Sequence, residues 1–114
     1  MKYIKLANKK YPRVRITWLD ITGDCTTVSA EDFEELTCAK IVTEGYLYGT
    51  FERDGMVFIR TFASYEPGSK PTFGDRNVFP FSVLESKSKN RVIKALKILE
   101  EEGENIKYEN EDDS

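Results

Sequence analysis

The sequence contains no histidine among its 114 residues. Histidine is the usual general base near neutral pH and a common metal ligand, so its absence excludes Ser–His and Cys–His nucleophile pairs and histidine metal sites. A phosphate-binding glycine signature is also missing, because Gly45 and Gly49 lack the remaining spacing and no Gly-Lys-Ser/Thr follows a glycine-rich loop. We therefore expect a protein that is not an enzyme and that uses no cofactor and no metal.

Long apolar runs are missing as well, and there are only two cysteines. No stretch approaches the roughly 18 apolar residues that a membrane span requires, and the first residues lead into polar sequence instead of a signal-peptide core. We expect a cytoplasmic protein without membrane contact. The wide separation of Cys25 and Cys38 matches neither a redox pair nor a metal knuckle, so we interpret both as reduced thiols.

Charge is unevenly distributed along a chain of single-domain length. The net charge is −3, yet the segment from Glu100 onward holds eight acids and one base, whereas residues 1–99 hold 16 bases and 12 acids. We predict one β-rich domain over residues 1–103 and an acidic, disordered tail over residues 104–114.

The clearest strand signal near the N-terminus lies in residues 13–18, where Val14, Ile16 and Trp18 alternate with polar residues. This period of two predicts a half-buried strand and favours Trp18 in the core, with a stacking platform for a base or sugar as the alternative role of Trp18. The preceding segment forms either a short strand or a mobile arm. Residues 1–15 contain six bases and no acid, which makes phosphate contact a candidate function for Lys2, Lys5, Lys9, Lys10, Arg13 and Arg15.

A turn and a short helix are predicted next. Asp20 and Asp24 bracket a turn and either shape it through local hydrogen bonds or act as a carboxylate pair. The β-branched content of residues 25–28 predicts a second short strand. Ser29 resembles an N-cap, with one or two helical turns expected from Ala30 to Leu36.

Asp54-Gly55 is a strong hairpin signal between the segments 46–53 and 56–65. A two-residue turn places Phe51 opposite Phe58 and Leu47 opposite Phe62, and we predict that these four side chains form the core face. The other face receives Tyr46 and Tyr48, which form either a binding surface or a surface covered by the C-terminal helix.

A proline- and glycine-rich stretch, residues 64–77, predicts a long loop without regular structure. Its prolines lower the cost of ordering, and aromatic and arginine side chains are common interface centres. We predict a binding site at Tyr65, Lys70, Phe73 and Arg76, with Phe73 alternatively folded onto the core, and a second candidate surface at Tyr46 and Tyr48.

The C-terminal segment shows helical spacing of apolar residues. Residues 78–84 are predicted to form a turn and a last short strand. Asn90 is predicted to cap a helix that Gly103 ends.

Residues 14–20, 45–47 and 78–84 together resemble a pattern found in small bacteriophage accessory proteins, over roughly residues 13–86. The resemblance implies a mainly β fold, a small five-stranded antiparallel barrel of the SH3-like or Sm-like sort with a C-terminal α-helix. It also implies a phage-encoded protein in the host cytoplasm that binds and inhibits a host protein. Sequestering a nucleotide or other small signalling ligand is the first alternative, and a nucleic-acid-binding module is the second.

Overall fold

The computed structural model describes residues 2–104. The predicted tail therefore lies, from residue 105 onward, outside the described residues. The elements follow one another as β1 (Tyr3–Leu6), β2 (Lys9–Asp20), α1 (Ala30–Glu34), β3 (Ala39–Arg53), β4 (Met56–Phe62), β5 (Ser64–Glu66), β6 (Thr72–Gly74), β7 (Asn77–Pro80), a 3-10 turn (Phe81–Val83) and α2 (Ser86–Glu104).

Five of the strands form one antiparallel sheet in the order β1-β2-β3-β4-β7, and β5 pairs with β6 separately. The predicted mainly β fold with five antiparallel strands and a C-terminal helix is confirmed. The described residues form no closed barrel, because β1 and β7 at the two edges of the sheet do not pair.

Two tight turns connect β1 to β2 and β3 to β4. Asp54 and Gly55 have φ of +52° and +78°, and Ala7 and Asn8 have φ of +49° and +68°. Positive φ at both central residues fits the twist of adjacent antiparallel strands. The Asp54-Gly55 hairpin is confirmed, with Phe51 opposite Phe58, and the N-terminal segment forms a strand.

A bulge at Tyr48 changes the predicted pairing beyond the hairpin tip. Leu47 lies opposite Thr61 and Gly49 lies opposite Arg60, so Tyr48 has no partner on β4. The prediction that Leu47 faces Phe62 is wrong, since one extra residue on a strand shifts the register by one. Phe62 instead lies opposite Tyr46.

The main core lies between α2 and one face of the sheet. It contains Val14, Ile16, Leu47, Ile59, Phe79, Leu84, Val92 and Ala95, with Trp18 packed against it as predicted. Of the four predicted core residues only Leu47 belongs here. The bulge directs Phe62 to the opposite face, where it is buried in a second cluster, while Phe51 and Phe58 are half-buried and stack at 5.1 Å.

Residues 19–42, which we call the arm, are all exposed. Within the arm, Ser29 caps α1 as predicted, since its hydroxyl accepts a hydrogen bond from the Asp32 backbone N–H at 3.2 Å. The strand predicted for residues 25–28 is not formed, since these residues have no regular secondary structure. Cys25 and Cys38 are exposed free thiols.

Helix α2 begins four residues before the predicted Asn90 cap. The Lys89 N–H donates to the Glu85 carbonyl at 2.9 Å, and the buried Ser88 hydroxyl accepts a hydrogen bond from the Thr17 N–H at 2.7 Å. Because this bond fixes the first turn against β2, the start of the helix depends on a tertiary contact. The predicted stop at Gly103 is also wrong, as α2 extends to Glu104.

The segment 64–77 was predicted to lack regular structure, and this is wrong in part. It forms the short β5–β6 hairpin, in which Tyr65 lies opposite Phe73, while the chain between these strands is irregular. The C-terminal end of this segment leads into β7, close to the strand predicted in residues 78–84.

Candidate binding face

Six aromatic side chains form a cluster on the sheet face opposite to the main core, which we call the aromatic face. They come from β2, β3, β4 and the β5–β6 hairpin: Tyr11, Tyr46, Tyr48, Phe62, Tyr65 and Phe73. Strict alternation of side chains along β3 would place its two tyrosines on the face opposite to Phe62. The bulge at Tyr48 brings the β3 tyrosines onto the same side as Phe62, and the hairpin places two further rings above the sheet.

Phe62 is the centre of this cluster and is only 1% exposed. Its ring centroid lies 4.7 Å from that of Phe73 and 5.3 Å from that of Tyr11, in both cases edge to face. The remaining three rings lie within 6.5 Å of it. Each such pair adds about 0.5–1.5 kcal/mol beyond area burial, so Phe62 fixes the positions of its neighbours.

The outer rings of the cluster contact solvent and are bordered by cations. Tyr48 is 40% exposed and Tyr65 39%. The Lys9 ammonium lies 5.4 Å from the Tyr11 ring centre and 5.8 Å from that of Tyr48. Burial, and then the charge of Tyr48, raise the pKa of Tyr11. The Lys9 cation therefore faces the rings of two tyrosines, whose π-surfaces attract it.

A groove of about 440 Å³ opens beside these rings. Its floor and walls are Tyr48, Arg60, Thr61, Phe62, Phe73, Arg76, Asn77 and Val78. Arg60 and Arg76 are both exposed, and neither forms an ion pair with a carboxylate of a described residue. The Arg60 guanidinium lies 4.0 Å from the Phe51 ring centre. The groove thus combines apolar ring surface with two guanidinium groups available to an anion.

A second hollow of about 530 Å³ adjoins the cluster at Tyr46 and is lined also by Lys2, Tyr3 and Arg13. Side-chain hydrogen bonds to Tyr46 and then to Glu44 raise the pKa of Arg13. The Arg13 guanidinium donates to Glu44 at 3.0 Å and lies 5.7 Å from the Tyr46 ring centre. Basic and aromatic groups therefore line both concavities.

The structure brings most of the predicted site residues together. Tyr65, Phe73, Tyr46 and Tyr48 all belong to the aromatic face, and Arg76 lines the groove. Lys70 lies in the exposed chain between β5 and β6 and does not line the groove. Among the described residues, the C-terminal helix covers this surface only in part: α2 packs mainly against the main core, while its Leu99 also packs against the second cluster, to which Tyr46 belongs.

The basic N-terminal residues divide into several groups. Lys9 and Arg13 border the rings and Lys2 lines the second hollow. Lys10 is buried and Lys5 half-buried, whereas Arg15 pairs with Glu44 at 3.5 Å. Only part of this group is thus placed to contact a ligand on the aromatic face.

Sequence reasoning missed Tyr11, Arg60, Phe62 and Asn77 as site residues. The signal for two of them was available, because Arg60 and Phe62 alternate on one strand and point to the same face. Tyr11 and Asn77 reach the site through β2 and β7, whose placement depends on the completed sheet.

Asp20 and Asp24 make local hydrogen bonds. Asp24 accepts from the Thr26 N–H at 2.9 Å and from the Thr26 hydroxyl at 2.8 Å, and the backbone bond, followed by the hydroxyl bond, lowers the pKa of Asp24. Asp20 accepts from the Ile21 N–H at 2.9 Å. Among the residues described, no three His, Cys, Asp or Glu side chains are grouped as metal ligands would be.

Comparison of the chain with protein-family models, curated proteins and solved structures finds no match. Within residues 2–104, no helix has the length and apolar character needed to cross a bilayer.

Proposed function

We propose that this protein is a non-enzymatic binding module for single-stranded nucleic acid. The strand would lie along the aromatic face, with bases against the exposed rings and phosphates against the bordering cations. The observation that carries the proposal is the groove in which Arg60 and Arg76 share one concavity with Tyr48 and Phe73.

Charge supports a polyanionic ligand. Without the arm and residues 100–114, the remaining body of the chain holds 15 bases and six acids, a balance of +9. Each basic side chain that replaces a counterion at a phosphate adds sequence-independent affinity. The exposure of Arg60 and Arg76 leaves both guanidinium groups accessible for such contacts.

The arrangement of the rings favours single strands over a duplex. Aromatic side chains stack on bases only where the bases are unpaired and accessible, and each stack contributes about 1–3 kcal/mol. Tyr46 and Tyr48 lie two residues apart on β3 and each borders a different concavity. Two adjacent sites of the same chemistry fit an extended strand better than a single nucleotide.

The test measures binding of fluorescent single-stranded DNA and RNA by anisotropy at several salt concentrations. Arg76→Ala should weaken binding, because it removes about one phosphate contact. The slope of log affinity against log salt concentration should become shallower by about one. Tyr48→Leu should weaken binding by about tenfold with an unchanged salt slope, since it removes a stacking ring.

Arg53→Ala is the matched control, because Arg53 is an exposed arginine at the hairpin tip, away from the groove. It should bind like the unaltered protein. Absence of oligonucleotide binding at low salt, or equal losses in the Arg53 and Arg76 variants, would contradict the proposal.

A nucleotide or other small anionic ligand is the second candidate function, favoured by the size of the groove. Its volume of about 440 Å³ falls within the usual range of small-molecule sites. Calorimetric titration with mononucleotides distinguishes the two functions. Mononucleotides that bind as tightly as oligonucleotides would support sequestering, whereas affinity that grows with strand length supports the extended site.

The predicted phage origin, the SH3-like or Sm-like relationship and the inhibition of a host protein rest on the sequence resemblance alone and remain predictions. A tagged copy recovered from bacterial lysate with and without nuclease separates a protein partner from a nucleic acid. One partner protein retained after nuclease treatment would favour inhibition of a host protein over our proposal.

A further inference from the structure

The edge of β3 that faces away from β2 presents backbone groups that no other strand within residues 2–104 satisfies. We propose that two copies of this protein pair through this edge, Lys40 to Glu44, in an antiparallel arrangement about a twofold axis centred on Val42. This inference concerns a different surface from the groove and does not depend on nucleic-acid binding.

The direction of these backbone groups follows from the contacts of β2. The Thr17 N–H donates to the Ser88 hydroxyl at 2.7 Å and the Thr17 carbonyl accepts from the Glu85 N–H at 2.9 Å, so both groups point away from β3. Val42 lies directly opposite Thr17. In an antiparallel pair, two opposite residues either form two backbone hydrogen bonds with each other or point their N–H and carbonyl groups away from each other. The N–H and carbonyl of Val42 therefore point away from β2.

Lys40 and Glu44 present their backbone groups on the same side as Val42, because direction alternates along a strand. Tyr46 follows the same alternation, and it lies opposite Phe62, where β4 begins to cover this edge. Among the described residues, none pairs with this edge of β3 before that point, since β2 lies along the other edge. An open edge of this kind is a template for strand pairing.

Side-chain chemistry selects a second copy as the occupant, and selects its register. With the axis at Val42, Lys40 of each copy lies opposite Glu44 of the other, and each opposing pair exchanges two backbone hydrogen bonds. An axis at Lys40 or Glu44 would instead place like charges opposite each other. Val42 is 49% exposed and would lie opposite its own copy at the centre. The interface is isologous and closed, so it forms a dimer and no filament.

The charges of the arm agree with this arrangement. The arm carries six acids and one base, a balance of −5, against +9 for the body. Antiparallel pairing brings the arm of each copy alongside the body of the other, where opposite charges attract. Ile21 is 91% exposed and Phe33 66%, so apolar surface is also available to be buried there.

The ion pairs that Lys40 and Glu44 form within one copy do not prevent them from pairing across the twofold axis. Lys40 contacts Glu85 at 2.9 Å, and Glu44 contacts Arg13 at 3.0 Å. The charged side chains in these pairs are between 39% and 66% exposed, and exposed pairs contribute little to stability. Each charge can therefore join a partner across the axis.

Sedimentation of the full chain across the micromolar range tests the dimer. Val42→Pro removes the N–H directed at the partner without removing a bond to β2, and proline is accepted at an edge strand. It should be monomeric with an unchanged circular dichroism spectrum. Val42→Thr is the matched control, because it keeps the N–H and should still dimerise.

Charge exchange gives a second test that holds even if the proline variant does not fold. Lys40→Glu and Glu44→Lys each place like charges opposite each other twice per dimer and should weaken self-association by roughly tenfold. Mixing the two variants restores both attractive pairs, so a heterodimer should form. A chain that stays monomeric across the range, a dimer insensitive to Val42→Pro, or a mixture that fails to associate would each overturn the proposal. The first of these would be expected if the edge binds only a foreign protein.

Discussion

Phe62 supports the aromatic face from beneath, and replacing it tests whether that face is a second core. Phe62→Ala would leave a cavity at a position that is 1% exposed and borders five rings. Buried Phe→Ala changes cost about 3–5 kcal/mol, while the whole free energy of unfolding of a domain is about 5–15 kcal/mol. We expect a loss of at least about 3 kcal/mol and a fall in Tm of more than about 10 °C.

Chemical denaturation followed by tryptophan fluorescence measures this loss, since Trp18 packs against the main core and reports global unfolding. Phe58→Ala is the matched control on the same strand and face. Phe58 is half-buried and stacks on Phe51, so its replacement should cost about half as much. A loss below about 1 kcal/mol for Phe62→Ala, or equal losses for the two variants, would refute the view that the rings around Phe62 stabilise the fold.

Two further predictions concern glycine packing and alkaline pH. A Cβ at Gly45 would lie 2.6 Å from the Phe62 carbonyl oxygen, whereas a Cβ at Gly49 would meet nothing within 4 Å. In urea denaturation, Gly45→Ala should therefore lower the free energy of unfolding by about 2 kcal/mol, and Gly49→Ala by less than about 0.5 kcal/mol. Because burial and then the charge of Tyr48 raise the pKa of Tyr11 above its ordinary value of 10.0, the folded state keeps this proton longer than the unfolded chain. Stability that is fully present below the ordinary pKa is therefore lost as pH rises through the higher folded-state pKa, and Tyr11→Phe should flatten the decline above about pH 10. Equal alanine penalties, or an unchanged pH profile, would contradict the respective prediction.

Local signals were sufficient to predict the features that depend on neighbouring residues. The alternation of Val14, Ile16 and Trp18 predicted β2, and Asp54-Gly55 predicted the central hairpin. Ser29 predicted the start of α1. In each case the interaction that determines the structure joins residues close in sequence, so a single sequence contains it.

Features that depend on distant contacts were missed. The β3 strand begins at Ala39, although the β-branched run Ile41-Val42-Thr43 was an available signal for its extension. Ser88 fixes the start of α2 only through its bond to Thr17, which no local pattern shows. The candidate site follows the same rule, because its individual rings were recognisable while their common centre, Phe62, was assigned to the wrong face.

That assignment failed because of one residue, and the same residue makes the site possible. Without the bulge at Tyr48, strict alternation would place Phe62 opposite Leu47, on the side of the sheet that α2 covers. With it, Tyr46 and Phe51 lie on one face despite an odd separation in sequence, and Phe62 meets Tyr46 beneath the β5–β6 hairpin. Gly49 follows the bulge directly, and a glycine inside a strand is a known signal for such an irregularity. The bulge therefore determines which side of the sheet becomes the main core and which side presents aromatic and basic groups to a ligand.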